Sequence, residues 1–133
     1  SIDEYVNKAM VFLNEQDDNF VQQCKDLYFE SLECVYRIFG RYSFRRISKI
    51  KEQYIKPINT ALFEGWVNGI SKLNSRERVL LIQKRNIVKK LYIEELDKKS
   101  SFYRDIGSGK YRSFIRRNET IQKIILEVLN ENS

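Results

Sequence analysis

Basic and aromatic side chains alternate between residues 36 and 56, and this block holds the chain's best candidates for binding chemistry. Its members are Arg37, Arg41, Arg45, Arg46, Lys49, Lys51 and Lys56, with Tyr36, Phe39, Tyr42, Phe44 and Tyr54. Guanidinium groups bind phosphates in a fork geometry, and aromatic rings stack on exposed bases. We therefore expect phosphate contacts from Arg41, Arg45, Arg46 and Lys49. The alternative is a solvated basic surface over an aromatic core.

A glycine turn at residues 107–109 precedes a second group of cations. Its sequence lacks the Walker A spacing, which needs glycine at Arg104 and serine or threonine at Tyr111. A turn before a helix N-terminus can still hold an anion. We therefore expect a second set of phosphate contacts from Arg112, Arg116 and Arg117. A plain helix–helix connection is the alternative.

Several kinds of catalytic site are excluded by composition. The chain has no histidine, which rules out His–metal sites, Ser-His-Asp triads and Cys-His dyads. Cys24 and Cys34 stand ten residues apart in one predicted helix. That spacing is about 15 Å, too far for a disulfide, and we expect both cysteines to be buried. We predict no catalytic residue, no metal site and no cofactor.

The segment from Tyr54 to Trp66 contains the only proline and the only tryptophan. Pro57 is expected near the first turn of a helix, with Asn59 or Thr60 as its cap. Helical spacing predicts one buried stripe, made of Ile58, Leu62, Phe63 and Trp66.

Glu64 interrupts this stripe and needs a partner if it is buried. We expect a structural salt bridge to an arginine such as Arg37 or Arg41, which would tie the basic block to the core. A catalytic role for Glu64 is the less favoured alternative, because no second carboxylate or base stands at a helpful helical spacing.

Apolar periodicity predicts an all-α fold, a compact bundle of six or seven helices. The predicted helices cover residues 2–14, 18–39, about 58–72, 76–98 with a bend near Arg85-Asn86, a short one through Ile106, and 111–130. Gly40 is expected to end the second helix, and Ser75 to cap the fourth. Val79, Leu80 and Ile82 should face inward, as should Phe114. Gly65 and Gly69 should allow a close helix–helix approach.

Charge is distributed unevenly along what we expect to be one domain, residues 1–133. The net charge of +6 divides into −6 for residues 1–34, +11 for 35–93 and +1 for 94–133. The basic middle suits phosphate partners or an acidic neighbour in the same assembly. No apolar run approaches the roughly 20 residues of a membrane span. The acidic start lacks a signal peptide and an initiator methionine, so we expect a fragment of a longer cytoplasmic protein.

Residues 15–130 resemble the helical C-terminal part of the GmrSD-type restriction endonucleases. The resemblance is carried by Phe39-Gly40, Ser43-Phe44-Arg45, Pro57-Ile58-Asn59, Ala61-Leu62-Phe63-Glu64, a helix ending at Lys84, the small-residue turn at 107–109, and Arg117. Its most specific piece is Pro57-Ile58-Asn59 with Ala61-Leu62-Phe63-Glu64. Asn118 stands where the family tends to have an aromatic residue.

The resemblance implies a bacterial antiphage protein that cuts modified DNA in a nucleotide-dependent reaction. In that family, a ParB-like N-terminal domain carries the nucleotide-hydrolysing motif, which this chain lacks. The resemblance therefore implies a helical accessory domain that packs on the ParB-like domain and contacts DNA or relays nucleotide state, without activity of its own. The alternative is a protein-interaction or oligomerisation module that binds no nucleic acid. A stand-alone enzyme is the least favoured reading.

Overall fold

The computed structural model describes residues 1–15, 17–48, 55–97 and 101–130, and within these ranges the chain is all-α. The helices are α1 (Ile2–Asn14), α2 (Asp18–Phe39), α3 (Thr60–Ser71), α4 (Ser75–Gln83), α5 (Arg85–Asp97), α6 (Ser101–Ile106) and α7 (Tyr111–Asn130). A short 3₁₀ turn, Gly40–Tyr42, follows α2. The predicted fold class is confirmed. None of the described helices is long and apolar enough to cross a membrane.

Local signals set the ends of the first two helices where the sequence predicts them. The Ser1 hydroxyl accepts from the Glu4 N–H at 3.2 Å, and Asp17 Oδ1 accepts from the Phe20 N–H at 2.9 Å. Gly40 ends α2 with a φ of +57°, a conformation that costs glycine little. Both helices therefore begin on side chains that accept from free backbone N–H groups, and α2 ends at a glycine whose N–H donates to the Tyr36 carbonyl.

The entry to α3 is capped by Asn59, whose side chain accepts from the Leu62 N–H at 3.0 Å. Pro57 lies two residues before this cap, outside the helix, so its expected place near the first turn is wrong. Pro57 belongs instead to the extended segment that leads into α3, in which the Asn59 N–H donates to the Phe44 carbonyl at 2.8 Å. Ile58 is 47% exposed and does not join the buried stripe, whereas Leu62, Phe63 and Trp66 do.

One hydrophobic core joins α2, α3, α4, α5, α6 and α7. Three rings lie at its centre in edge-to-face contact, with centroids 5.0–5.7 Å apart: Phe39, Trp66 and Tyr92. The Tyr92 hydroxyl donates to the Arg45 carbonyl at 2.6 Å. Burial raises the pKa of Tyr92 far above its usual value, so the phenol stays a donor. This bond ties the segment after α2 to the core.

Helices α3 and α7 approach closely at the two glycines, as the sequence predicts. A Cβ on Gly65 would overlap Ile121 Cδ1, and one on Gly69 would lie 2.9 Å from Ile125 Cδ1. Ile121 and Ile125 are both fully buried. The glycines therefore provide the space that these two isoleucines fill.

The fourth predicted helix is two helices. α4 ends at Gln83 and α5 begins at Arg85, and Lys84 between them has a φ of −99° and a ψ of 24°. The cap of α4 is Asn74, which forms a reciprocal capping box with Glu77, and not Ser75. An amide side chain one residue earlier satisfies the free N–H groups that the serine was expected to satisfy.

The inner face of α4 also differs from the prediction. Leu81 is fully buried and Arg78 nearly so, whereas Val79 is 53% exposed. Lys84 interrupts the helix between Leu81 and the buried Val88, so helical periodicity does not relate the two positions. The packing of α4 against the other helices decides which of its apolar residues are buried.

Two smaller expectations are corrected on α7 and α2. Phe114 is 38% exposed, and the inner positions of the first turns of α7 are taken by Ser113 and Arg117. Of the cysteines, Cys34 is buried, and burial raises its pKa to about 11, but Cys24 is only half-buried.

Candidate nucleic-acid interface

The arginines of the basic block differ in what they contact. Arg41 is exposed, and its Nη2 donates to the Tyr42 hydroxyl at 3.2 Å. Arg45 is half-buried, and its Nη1 donates to the Lys56 carbonyl at 2.5 Å. Lys49 lies outside the described residues. Arg45 therefore links two loop segments. Of Arg41 and Arg45, only Arg41 is exposed to solvent.

Arg46 is a half-buried cation without an acceptor. Its guanidinium lies over the Tyr103 ring, 4.9 Å from the centroid, and its Nη2 would lie 3.4 Å from a Cβ on Gly107. Its Nε is buried and has no hydrogen-bond partner. Within the described part of the chain, no ion pair or hydrogen bond satisfies this guanidinium. Leaving this Nε–H group buried without an acceptor costs free energy.

A groove of about 900 Å³ opens beside Arg46. Residues 46–48 and 56–59 line one part of it, and the end of α5 together with α6 lines the other. Among the described residues, three cations contribute to its lining, namely Arg46, Lys56 and Arg104, together with one carboxylate, Asp97. Its remaining walls are largely apolar and are formed by Ile47, Pro57, Ile58, Leu96 and Tyr103. The groove therefore combines an anion-attracting edge with apolar surface.

The second set of predicted arginines is mainly structural. Arg117 is 8% exposed, and its Nη1 donates to the carbonyls of Asp105 at 3.3 Å and Ser108 at 3.0 Å. Arg116 makes a two-pronged contact with the carboxylate of Asp105, at 2.7 and 3.0 Å. Arg117 and Arg116 thus hold the glycine turn, and their expected phosphate contact stays a prediction. Arg112 and Arg116 are both exposed, whereas Arg117 is buried.

Asp105 is the buried acceptor of this structural cluster. Hydrogen bonds from Arg116 lower the pKa of its carboxyl below the usual 3.8, against the opposing effect of burial. The bond from Ser113 and the nearby Arg104 act in the same direction. The carboxylate is therefore held ionised, and it joins α6 to the start of α7.

Glu64 does not make the expected ion pair with Arg37 or Arg41. Arg37 pairs with Glu33 at 2.9 Å within α2, and Arg41 lies against Tyr42. Glu64 is half-buried, and its charge adds to burial in raising the pKa of Tyr5. The basic segment is instead tied to the core by the Tyr92–Arg45 hydrogen bond. A hydrogen bond to a backbone carbonyl therefore makes the connection for which the sequence predicted a salt bridge.

Sequence reasoning missed two residues of the groove, Tyr103 and Arg104. They lie on α6, far along the chain from Arg46, and no local pattern links them. The motif residues Pro57 and Asn59 also line the groove, although their predicted role was structural. The described residues contain no group of three or more acidic or cysteine side chains that could hold a metal ion.

Comparison with known proteins gives no relative for this chain. No family model, no curated protein and no solved structure matches it.

Proposed function

We propose that this helical domain binds DNA through the groove beside Arg46, without catalysing a reaction itself. The observation that carries the proposal is the half-buried Arg46 guanidinium, which has no anion or hydrogen-bond acceptor in the described structure. A phosphate would supply both the charge and the acceptors in a fork geometry. Lys56 and Arg104 add positive charge at the same groove.

Salt-dependent binding tests this proposal. A labelled duplex is titrated with the wild-type protein and with the double variant Arg46→Glu/Arg104→Glu, and anisotropy gives the affinity at several salt concentrations. We expect the variant to bind at least tenfold more weakly. We also expect the slope of log affinity against log salt to become shallower by about 1.8, because each lost phosphate contact contributes about 0.9.

A matched control separates a site from a general charge effect. Lys72→Glu/Lys123→Glu makes the same change in net charge, and these lysines line a different groove, between α3 and α7. We expect this control to retain most of the affinity. Equal weakening in both variants, or no binding by the wild-type protein, would contradict the proposal. Circular dichroism checks that each variant is folded.

The wider role follows from the sequence resemblance. The domain would serve a cytoplasmic, nucleotide-dependent restriction protein of the GmrSD type, packed against a ParB-like domain in the same or parent chain. The support is the segment from Pro57 to Glu64, with Asn59 capping α3. The gene that encodes this chain tests it, because a ParB-like domain with the nucleotide-hydrolysing motif should precede the helical part.

A second function, protein interaction, has an observation in its favour. Helices α1 and α2 expose several large apolar side chains within the acidic part of the chain, namely Met10, Val11, Phe12, Phe20, Leu27 and Phe29. Apolar surface of this kind often marks an interface. Light scattering across a range of concentrations tests self-association, and a constant monomeric mass would count against an oligomer.

A further inference from the structure

The groove beside Arg46 is only partly suited to a phosphate backbone. A channel that follows a duplex backbone presents cations to successive phosphates. Here the cations, Arg46, Lys56 and Arg104, share the groove with the carboxylate of Asp97. A carboxylate repels a passing phosphate. The ligand that matches this lining has one anionic part and one part without negative charge.

The walls of the groove match a flat, uncharged ring. Ile47, Pro57, Ile58 and Leu96 form apolar surface, and Tyr103 adds an aromatic ring that is 46% exposed. Small-molecule sites have this composition, with mostly apolar walls and a few placed polar groups. Arg46 already covers one face of the Tyr103 ring, and much of the ring is still accessible.

Polar groups in the same groove suit the edge of a nucleobase. The Asp97 carboxylate is an acceptor for the exocyclic amino groups of bases. The Asn59 side-chain oxygen is used by the Leu62 N–H, which leaves its amide group as a donor. A base stacked in a duplex exposes neither of its faces to such walls.

From these contacts, and resting on the proposed DNA binding, we propose that the groove receives one unstacked nucleotide. The base lies against Tyr103 and the apolar walls, and its phosphate lies against Arg46 and Arg104. The groove should therefore prefer single-stranded DNA, or a duplex with an unpaired base, to an intact duplex, which binds more weakly through phosphate contacts alone. No covalent step is involved.

Three DNA probes of equal length test the inference with the full chain. They are a single strand, a perfect duplex, and a single strand in which every nucleotide is abasic. We expect the single strand to bind roughly tenfold more tightly than either of the others, since stacking of one base on an aromatic ring is worth about that factor. Equal affinity for all three would overturn the inference while leaving DNA binding in place. Absence of binding to every probe would overturn the proposed function as well.

Tyr103 variants show whether the ring acts by stacking. Tyr103→Ala should weaken binding to the ordinary single strand about tenfold and leave binding to the abasic strand unchanged, and Tyr103→Phe should restore the affinity. If Tyr103→Ala only displaced Arg46, it would weaken both strands equally, and that result would contradict stacking. Arg46→Gln should weaken both strands and make the salt slope shallower by about 0.7.

Discussion

At the scale of single residues, the arginines of this chain divide into those that hold the fold and those that are free to bind. Arg78 shows how completely an arginine can be used. It donates to the Leu73 carbonyl, to the Ser75 hydroxyl and to Glu30, at 2.5, 3.3 and 2.9 Å. Arg46 has none of these partners. Position in the sequence does not separate the two kinds, because the difference lies in acceptors contributed by other segments.

Arg117 provides a stability prediction at this scale. Arg117→Ala should lower the free energy of unfolding by about 2–4 kcal/mol, because the carbonyls of Asp105 and Ser108 lose a charged donor. Arg112→Ala is the matched control on the same helix, and it should change stability by less than about 0.5 kcal/mol, since Arg112 is exposed. Urea unfolding measures both. Equal losses would show that Arg117 does not have the structural role assigned to it.

Asp105 makes stability depend on pH. Its folded pKa lies below the usual 3.8, so its contribution is present above that value and is lost as the pH falls through the folded pKa. We expect the free energy of unfolding to fall between about pH 5 and pH 2. Asp105→Asn should remove this part of the dependence, as urea unfolding at several pH values will show. If the free energy of unfolding depended on pH in the same way for the wild-type protein and for Asp105→Asn, this role of Asp105 would be contradicted.

At the scale of elements, the α3–α7 contact depends on the absence of two side chains. Gly65→Ala should destabilise the protein by about 1–3 kcal/mol, because its Cβ would overlap Ile121 Cδ1, and the better helix propensity of alanine offsets only part of this. Ile121→Val removes the overlapping methyl group. Alone it should cost about 0.5–1.5 kcal/mol.

The double variant Gly65→Ala/Ile121→Val tests the contact itself. It should be at least as stable as Gly65→Ala, since the valine makes room for the new Cβ, and urea unfolding of all four proteins gives the coupling. Strictly additive losses would mean that the two positions do not meet. Gly69→Ala should cost less than Gly65→Ala, because Ile125 Cδ1 lies farther away, at 2.9 Å.

At the scale of the whole molecule, α1 stands apart from the core. Among the residues whose burial is described, the buried cluster runs from Cys34 to Val128 and includes none from α1. Tyr5 contacts Phe63 edge-to-face at a centroid distance of 5.4 Å. A chain beginning at Asp17 should therefore still unfold cooperatively. Its Tm should fall by several degrees, because an aromatic pair of this kind is worth about 1 kcal/mol.

Calorimetry measures this change, and the full chain is the reference. A truncated chain that lost cooperative unfolding would show that α1 belongs to the core. Because α1 and the first half of α2 also carry much of the acidic charge and exposed apolar surface, the truncation affects the interaction surface of the second proposed function. DNA binding at the groove should not change.

The sequence alone determined the features of this protein that depend on neighbours within a few residues. The fold class, the ends of α1 and α2, the Asn59 cap and the close approach at Gly65 follow from capping groups and helical periodicity.

Only the tertiary structure decided which cations are free. Folding brings the Asp105 carboxylate to Arg116, and it brings the carbonyls of Asp105 and Ser108 to Arg117. Arg46 lies instead over the ring of Tyr103. These partners are contributed by different elements, so their distances depend on how the helices pack and not on any local pattern. The groove exists for the same reason, because its walls come from segments far apart in the chain.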